Sequence, residues 1–301
     1  LVDLGPLQVT VLDPRFATCL VDGARLERLW SDGKWTEGPA WLARTGDFVW
    51  SDIPNNRMLR WNYASGAVSE FRNPSNGANG NTVDLEGRLV TCEQYRRRIT
   101  RTGHNGTVTV LVDRFEGRRF NAPNDVVAKS DGTIWFTDPD YGHSPLYEGV
   151  RELDGCHVYR LDPRTGEIRQ MTDDFVMPNG LAFSPDASVL YVVDTGSTHL
   201  PDGPNHVRRF DVGTGGSLSG GEIIASDPKK FFDGFRVDIG GRLWCGAGDG
   251  IDCYDADGNL IGKVAIPERV GNLTFGGPGR NELLICGSTS TYRCLTRAVG
   301  V

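Results

Sequence analysis

Long apolar runs are missing. No stretch of 18 apolar residues occurs in the 301-residue chain, which argues against a membrane-spanning helix. No signal peptide is visible, and the sequence starts at Leu1 rather than Met, leaving its natural start open. A cytoplasmic protein is expected, or a periplasmic one if a leader has been removed. Positive charge is also short: 32 Lys and Arg face 39 Asp and Glu, a net charge of −7. A basic surface that tracks phosphates, and with it a nucleic-acid partner, is therefore not expected. The one strong basic cluster, Arg96, Arg97 and Arg98 with Arg101, reads as a solvated turn or outer strand.

Several chemistries lack their motifs. There is no Gly-x-Ser-x-Gly elbow for a serine hydrolase. The five histidines show no His-Glu-x-x-His spacing. The seven cysteines form no Cys-x-x-Cys pair, and most sit in apolar strand patterns. Buried free thiols in a reducing compartment are the reading, since an odd number cannot all pair internally. Long helical periodicity is absent too.

What the chain does have is repetition. An acid or amide beside glycine opens an alternating strand, a tight turn follows, and a second apolar strand comes next. The clearest copy is Asp-Gly-Phe-Arg-Val-Asp-Ile-Gly-Gly-Arg-Leu-Trp at 233–244. Copies start at Glu37, Asn79, Asn124, Asn179, Asp233 and Asn272, a period of roughly 40–55 residues. The 39 glycines suit many turns and tight inner strands. This pattern predicts an all-β, six-bladed β-propeller with four-stranded blades, a single domain over 1–301. The sixth repeat ends after Leu295 without a fourth strand. A strand at about 25–30 is expected to complete it and close the ring, removing two open edges. Residues 1–24 form an N-terminal extension, in which 9–12 and 16–20 each read as a short strand.

In a propeller the first strand of every blade lines the channel. The six opening residues should then ring one mouth. All six carry side-chain oxygen and two are carboxylates, a donor set suited to a hard cation such as calcium. Read singly, each Asn-Gly or Asp-Gly is also an ordinary turn former. Asp52, Asp138 and Asp194 end apolar strands and read as repeat turn residues, with Asp138 the best exception because a long insertion follows it. That insertion, at 141–149, is a candidate lid carrying Tyr141 and His143. His157 lies in a strand pattern and reads as a packing residue.

The stretches Glu-Gly-Pro-Ala-Trp (37–41), Ser-Asp-Ile-Pro-Asn-Asn-Arg (51–57), Ala-Pro-Asn-Asp-Val-Val (122–127), Trp-Phe-Thr-Asp-Pro (135–139), Pro-Asn-Gly-Leu-Ala-Phe-Ser-Pro-Asp (178–186) and Asp-Gly-Phe-Arg-Val-Asp (233–238) together resemble the SMP-30/gluconolactonase/luciferin-regenerating-enzyme family. The bacterial gluconolactonase branch is the nearest match. The resemblance runs from about Glu37 to the end of the chain. It implies a six-bladed propeller with one divalent metal, usually calcium, held by Glu37, Asn124, Asn179 and Asp233; Zn²⁺, Mn²⁺ and Mg²⁺ are alternatives. Asn79 and Asn272 are not usual family ligands and are assigned to water or substrate, as are Asp138, Tyr141 and His143. In the animal branch an arginine two residues before the blade-three Asn contacts substrate, whereas this chain has Ala122. The histidine dyad of the related paraoxonases has no counterpart.

The implied activity is metal-dependent hydrolysis of a sugar lactone such as gluconolactone, with Asp233 as general base or nucleophile. Two other readings remain at this stage: hydrolysis of phosphotriesters or other esters at the same site, and a calcium-stabilised binding module without turnover. The small-molecule lactone is the partner implied. The sequence leaves the oligomeric state open.

Overall fold

The computed structural model describes residues 1–141, 146–147, 149–227 and 231–301. Its strands form six antiparallel sheets around one axis and one separate two-stranded sheet, Arg114–Phe115 with Arg118–Arg119. The innermost strands are Thr36–Leu42, Ala78–Val83, Val126–Ala128, Pro178–Phe183, Phe235–Val237 and Val270–Gly276. Each packs on the next, and the last packs on the first. From each of the first five inner strands the chain steps outward through three more strands, as Thr36–Leu42 leads to Asp47–Asp52, Arg57–Asn62 and Val68–Arg72; from the sixth it steps through two. Two-residue alternation gives each sheet two apolar faces, and each face is buried by a neighbouring blade. Six clusters of buried side chains result.

Ring closure follows the sequence pattern. Arg25–Trp30 pairs antiparallel with Thr291–Leu295, with Trp30 opposite Thr291 and Glu27 opposite Arg293. An ion pair reinforces the register: Arg293 Nε lies 2.5 Å from Glu27 Oε2. Leu29 enters the cluster between the last and first blades with Phe48, Trp50, Trp61 and Leu284.

The N-terminal segment departs from expectation in two ways and adds a pairing that the pattern left open. Val2–Pro6 is a strand that the pattern did not show, and it adds to Arg25–Trp30 as a fifth strand of the last blade. Val9–Val11 is a strand as expected, but it pairs with Leu260–Ala265 at the rim of blade five. Residues 16–20 are not a strand. Pro14–Ala17 is one helical turn, because Asp13 caps it through Arg15 N–H (2.8 Å) and Pro14 fits the first helical position. Phe16 is thereby buried against Trp244, with ring centroids 5.7 Å apart.

The basic cluster is also corrected. Arg96 is exposed, but Arg97 is fully buried. Its Nε donates to the Phe120 carbonyl at 2.6 Å and its Nη1 to the Val150 carbonyl at 2.8 Å. A guanidinium can be buried when backbone carbonyls and a neighbouring carboxylate, here Glu152, meet it. The seven cysteines are free and buried, as the sequence implied.

The closing strand yields a stability test. Leu29→Ala should lower the unfolding free energy by about 2–5 kcal/mol through the cavity it leaves. Val9→Ala, at a side chain 40% exposed, should change it by about 0.5 kcal/mol or less. Urea denaturation followed by tryptophan fluorescence measures both, and equal effects would mean that the closing strand is not part of the cooperative core.

Candidate functional site

The acid-glycine and amide-glycine pairs shape one end of the channel. Near the axis the inner strands come so close that a side chain has no room. A Cβ on Gly80 would lie 2.4 Å from the Asn124 carbonyl oxygen, and one on Gly180 would lie 2.5 Å from that of Asp233. Gly80 N–H donates to the Asn124 carbonyl and Gly234 N–H to the Gly271 carbonyl, both at 2.7 Å. Hydrogen bonds thus cross between blades at these positions. Four inner strands also break register here, between Glu37 and Ala40, Ala78 and Asn81, Pro178 and Leu181, and Val270 and Asn272. Such bulges re-aim side chains beside functional sites.

Glu37, Asn79, Asn124, Asn179 and Asp233 come together on one cavity of about 240 Å³. All five residues are at least nine-tenths buried. Tyr141 joins them, and its hydroxyl lies 3.4 Å from Thr198 Oγ1. Asn272, the sixth residue of the repeat, is not in the lining. Its Oδ1 accepts from Leu273 N–H at 2.9 Å, and its amide hydrogen-bonds to Glu37. It therefore orients a carboxylate. Asp138 also lies outside the lining. It is fully buried, accepts Asn121 N–H at 2.8 Å, and is pushed up to about 8 chiefly by burial. Asp52 and Asp194 do the same work, accepting the N–H groups of Lys34 (3.0 Å) and Met177 (2.9 Å). All three tie the end of a second strand to the segment entering the first. His143 and four other residues of the expected lid lie outside the described residues. His157 is buried beside Tyr159, at 6.0 Å between ring centroids.

The repeat pattern missed Trp35, Ile53, Gln94, Thr198 and Phe231, which complete the lining. Position holds a signal for four of them. Trp35 and Phe231 each precede a ring carboxylate by two residues, and Ile53 and Gln94 each directly follow a second strand. Thr198 lies in an insertion, beyond the reach of the repeat.

The electrostatics are set by burial. Glu37 is pushed up to about 7 by desolvation, aided by the charge of Asp125, although Gly38 N–H holds its Oε2 at 2.8 Å. Asp233 is raised too, by burial and then by Glu37, with the Asn179 amide pulling the other way. Two buried carboxylates facing one cavity resist sharing it as anions. The donors around them are carboxylate, amide and hydroxyl oxygens, with no His or Cys in the lining among the described residues. Such a set fits a hard divalent cation better than a thiophilic one. Other cavities are larger. The one at the far mouth of the channel holds about 420 Å³ but brings no pair of buried carboxylates together.

The family model for the SMP-30/gluconolactonase/LRE-like region matches residues 35–289. The chain belongs to this family. Among relatives of the same SMP-30/gluconolactonase type, a gluconolactonase of Zymomonas mobilis is 29% identical, over 97% of this chain and 87% of its own length. A solved structure described as a gluconolactonase of Xanthomonas campestris is 36% identical with a TM-score of 0.89, covering 98% of this chain and 97% of that one. A calcium-binding regucalcin of Agrobacterium tumefaciens shares the fold at 20% identity, with a TM-score of 0.75 over 91% of this chain and 94% of its own.

The tight axis is testable at Gly38. Its φ is +56°, and a Cβ there would sit 1.8 Å from the Asn79 carbonyl oxygen. Gly38→Ala should cost about 3 kcal/mol or more, from left-handed strain plus backbone overlap. Gly46→Ala, with similar φ but 3.8 Å to its nearest neighbour, should cost about 1–2 kcal/mol. Matching losses in thermal denaturation would show that the axis can relax.

Proposed function

We propose that the chain is a sugar-lactone hydrolase working with one divalent cation, calcium foremost, held by Glu37, Asn124, Asn179 and Asp233. The observation that carries this reading is the convergence of two buried carboxylates and two amides on one cavity, in a chain of the gluconolactonase-like family. Its relatives named as gluconolactonases extend over nearly its full length. A cation bound there supplies Lewis-acid polarisation of a carbonyl and charge stabilisation of an oxyanion.

The chain's own residues supply positioning and proton transfer. Asp233 accepts a proton from water as the water oxygen adds to the lactone carbonyl carbon. The ring C–O bond then breaks, and the proton passes to the departing ring oxygen, giving the hydroxy acid. Both roles, ligand and base, need ionised Asp233, a form that burial opposes and that a neighbouring cation would favour. The Asn179 amide orients it. Asn272 and Gly38 N–H fix Glu37. Asn79 and Tyr141 stand on the same cavity and are assigned to the substrate's hydroxyl groups.

The test is hydrolysis of a panel of sugar lactones, an aryl ester and a phosphotriester, with chelator and with Ca²⁺, Mn²⁺, Zn²⁺ or Mg²⁺ restored. Chelation should abolish lactone turnover, and calcium should restore it. Asp233→Asn should fold, bind the ion more weakly, and stay about 10²–10⁴-fold slower even at saturating ion. Asn179→Ala should recover more activity as ion is added. Near wild-type turnover by Asp233→Asn at saturation would remove the base role. Faster ester or phosphotriester cleavage would reassign the substrate. Ion binding without any turnover would make the protein a binding module.

A further inference from the structure

Directly behind the ring lies a second layer of charge. Asp125 follows Asn124 in the chain, and its side chain is only 2% exposed. Its Oδ1 accepts Val126 N–H at 2.9 Å, and its Oδ2 lies 3.2 Å from Arg236 Nη1. Arg236 stands three residues beyond Asp233 on the inner strand of blade five. Its Nη1 also donates to the Phe235 carbonyl at 2.7 Å, while its buried Nη2 has no partner among the described residues. The pair is felt at the ring. Asp125 raises the proton affinity of both Glu37 and Asp233, and Arg236 lowers that of Glu37. Arg236 also borders the far-mouth cavity, so the pair separates the two ends of the channel.

The charges can be counted. Among the described residues, the ionisable side chains buried on the innermost strands or the segments entering them are Glu37, Asp125, Asp233 and the largely buried Arg236. Asp84, just past one inner strand, is already matched by Arg88 and Arg101, each at 2.9 Å. Arg269, which acts on Asp233 from outside, is exposed and stacks on Phe231 at 4.3 Å. Three carboxylates against one guanidinium leave a deficit of two positive charges. One divalent ion fills it.

We propose that Arg236 is the channel's resident cation and a positioning residue: it neutralises Asp125 and holds it away from the ring, so that the ring presents two negative charges and no more. This rests on the divalent-ion reading above. Removing Arg236 alone leaves a more negative channel that attracts cations more strongly, and removing the Asp125 charge alone leaves a less negative one. Removing both restores the balance.

The experiment is calorimetric titration of Ca²⁺ into four chelator-stripped full-length proteins, with thermal denaturation in chelator alongside. Arg236→Met should bind Ca²⁺ at least about tenfold tighter than wild type, and Asp125→Asn at least about tenfold weaker. The double variant should fall within about threefold of wild type. In chelator both single variants should melt earlier than wild type, because each leaves a buried group unmatched, and the double variant should regain most of the loss. Arg236→Lys should keep wild-type affinity within a few-fold. If Arg236→Met fails to fold, Asp125→Asn, the double variant and Arg236→Lys still fix the order. An affinity order that ignores channel charge would overturn this proposal and leave the ring standing. Absence of Ca²⁺ binding by the wild type would reject the ring, and this proposal with it.

Discussion

Six strands converge on one axis, and at several points there is no room for a Cβ. That crowding organises the rest. It places glycine beside the ring residues, it sends backbone hydrogen bonds from one blade to the next as in Gly80 to Asn124, and it forces the bulges that turn side chains toward the mouth. The sheets radiate from this axis because their twist and their two apolar faces leave no other close packing. The site therefore stands where backbone meets backbone between blades.

The same crowding creates an electrostatic problem. Carboxylates are drawn into a narrow channel and buried there, where like charges cannot relax apart. Proton uptake, a bound cation and an internal guanidinium are the three available remedies. Glu37 and Asp233, both shifted toward protonation by burial, report the strength of that drive. Asp125 has been met by Arg236. In each case the amides and backbone N–H groups close by, such as Gly38 and Val126, set geometry rather than balance charge.

Much of this was written in the sequence because repeats carry phase. The blades were legible from period-two strands between turn signals, and the closing strand at Arg25–Trp30 from a missing partner after Thr291–Leu295. Five of the six in-phase residues share a cavity. Asn272 kept the phase but turned its amide to Glu37, a choice made by a neighbouring blade and invisible to the repeat. Pro14–Ala17 was misread because Phe16, Cys19 and Leu20 look like an apolar strand, whereas a cap by Asp13 decided the local structure. Arg97 was misread because charge alone says surface, and only tertiary structure brings the carbonyls of Phe120 and Val150 to it. The aromatic wall of the cavity, Trp35 and Phe231, lies just outside the repeated motif.

The closing strand carries a consequence for the order of events when the protein is made. Arg25–Trp30 emerges early with Val2–Pro6 along one edge, but its other edge has no partner until Thr291–Leu295 has been synthesised. Until then the strand presents an unpaired edge, and the first and last blades cannot bury the apolar face they share. Glu37 belongs to the first blade, and the amide that steadies it, Asn272, to the last. Pairings this distant in sequence are slow to form, because the loop between them must close before any contact rewards it. A chain interrupted just before the last blade would therefore carry five of the six inner strands and every lining residue of the cavity, but neither the closed ring that holds them together nor the Asn272 amide that steadies Glu37.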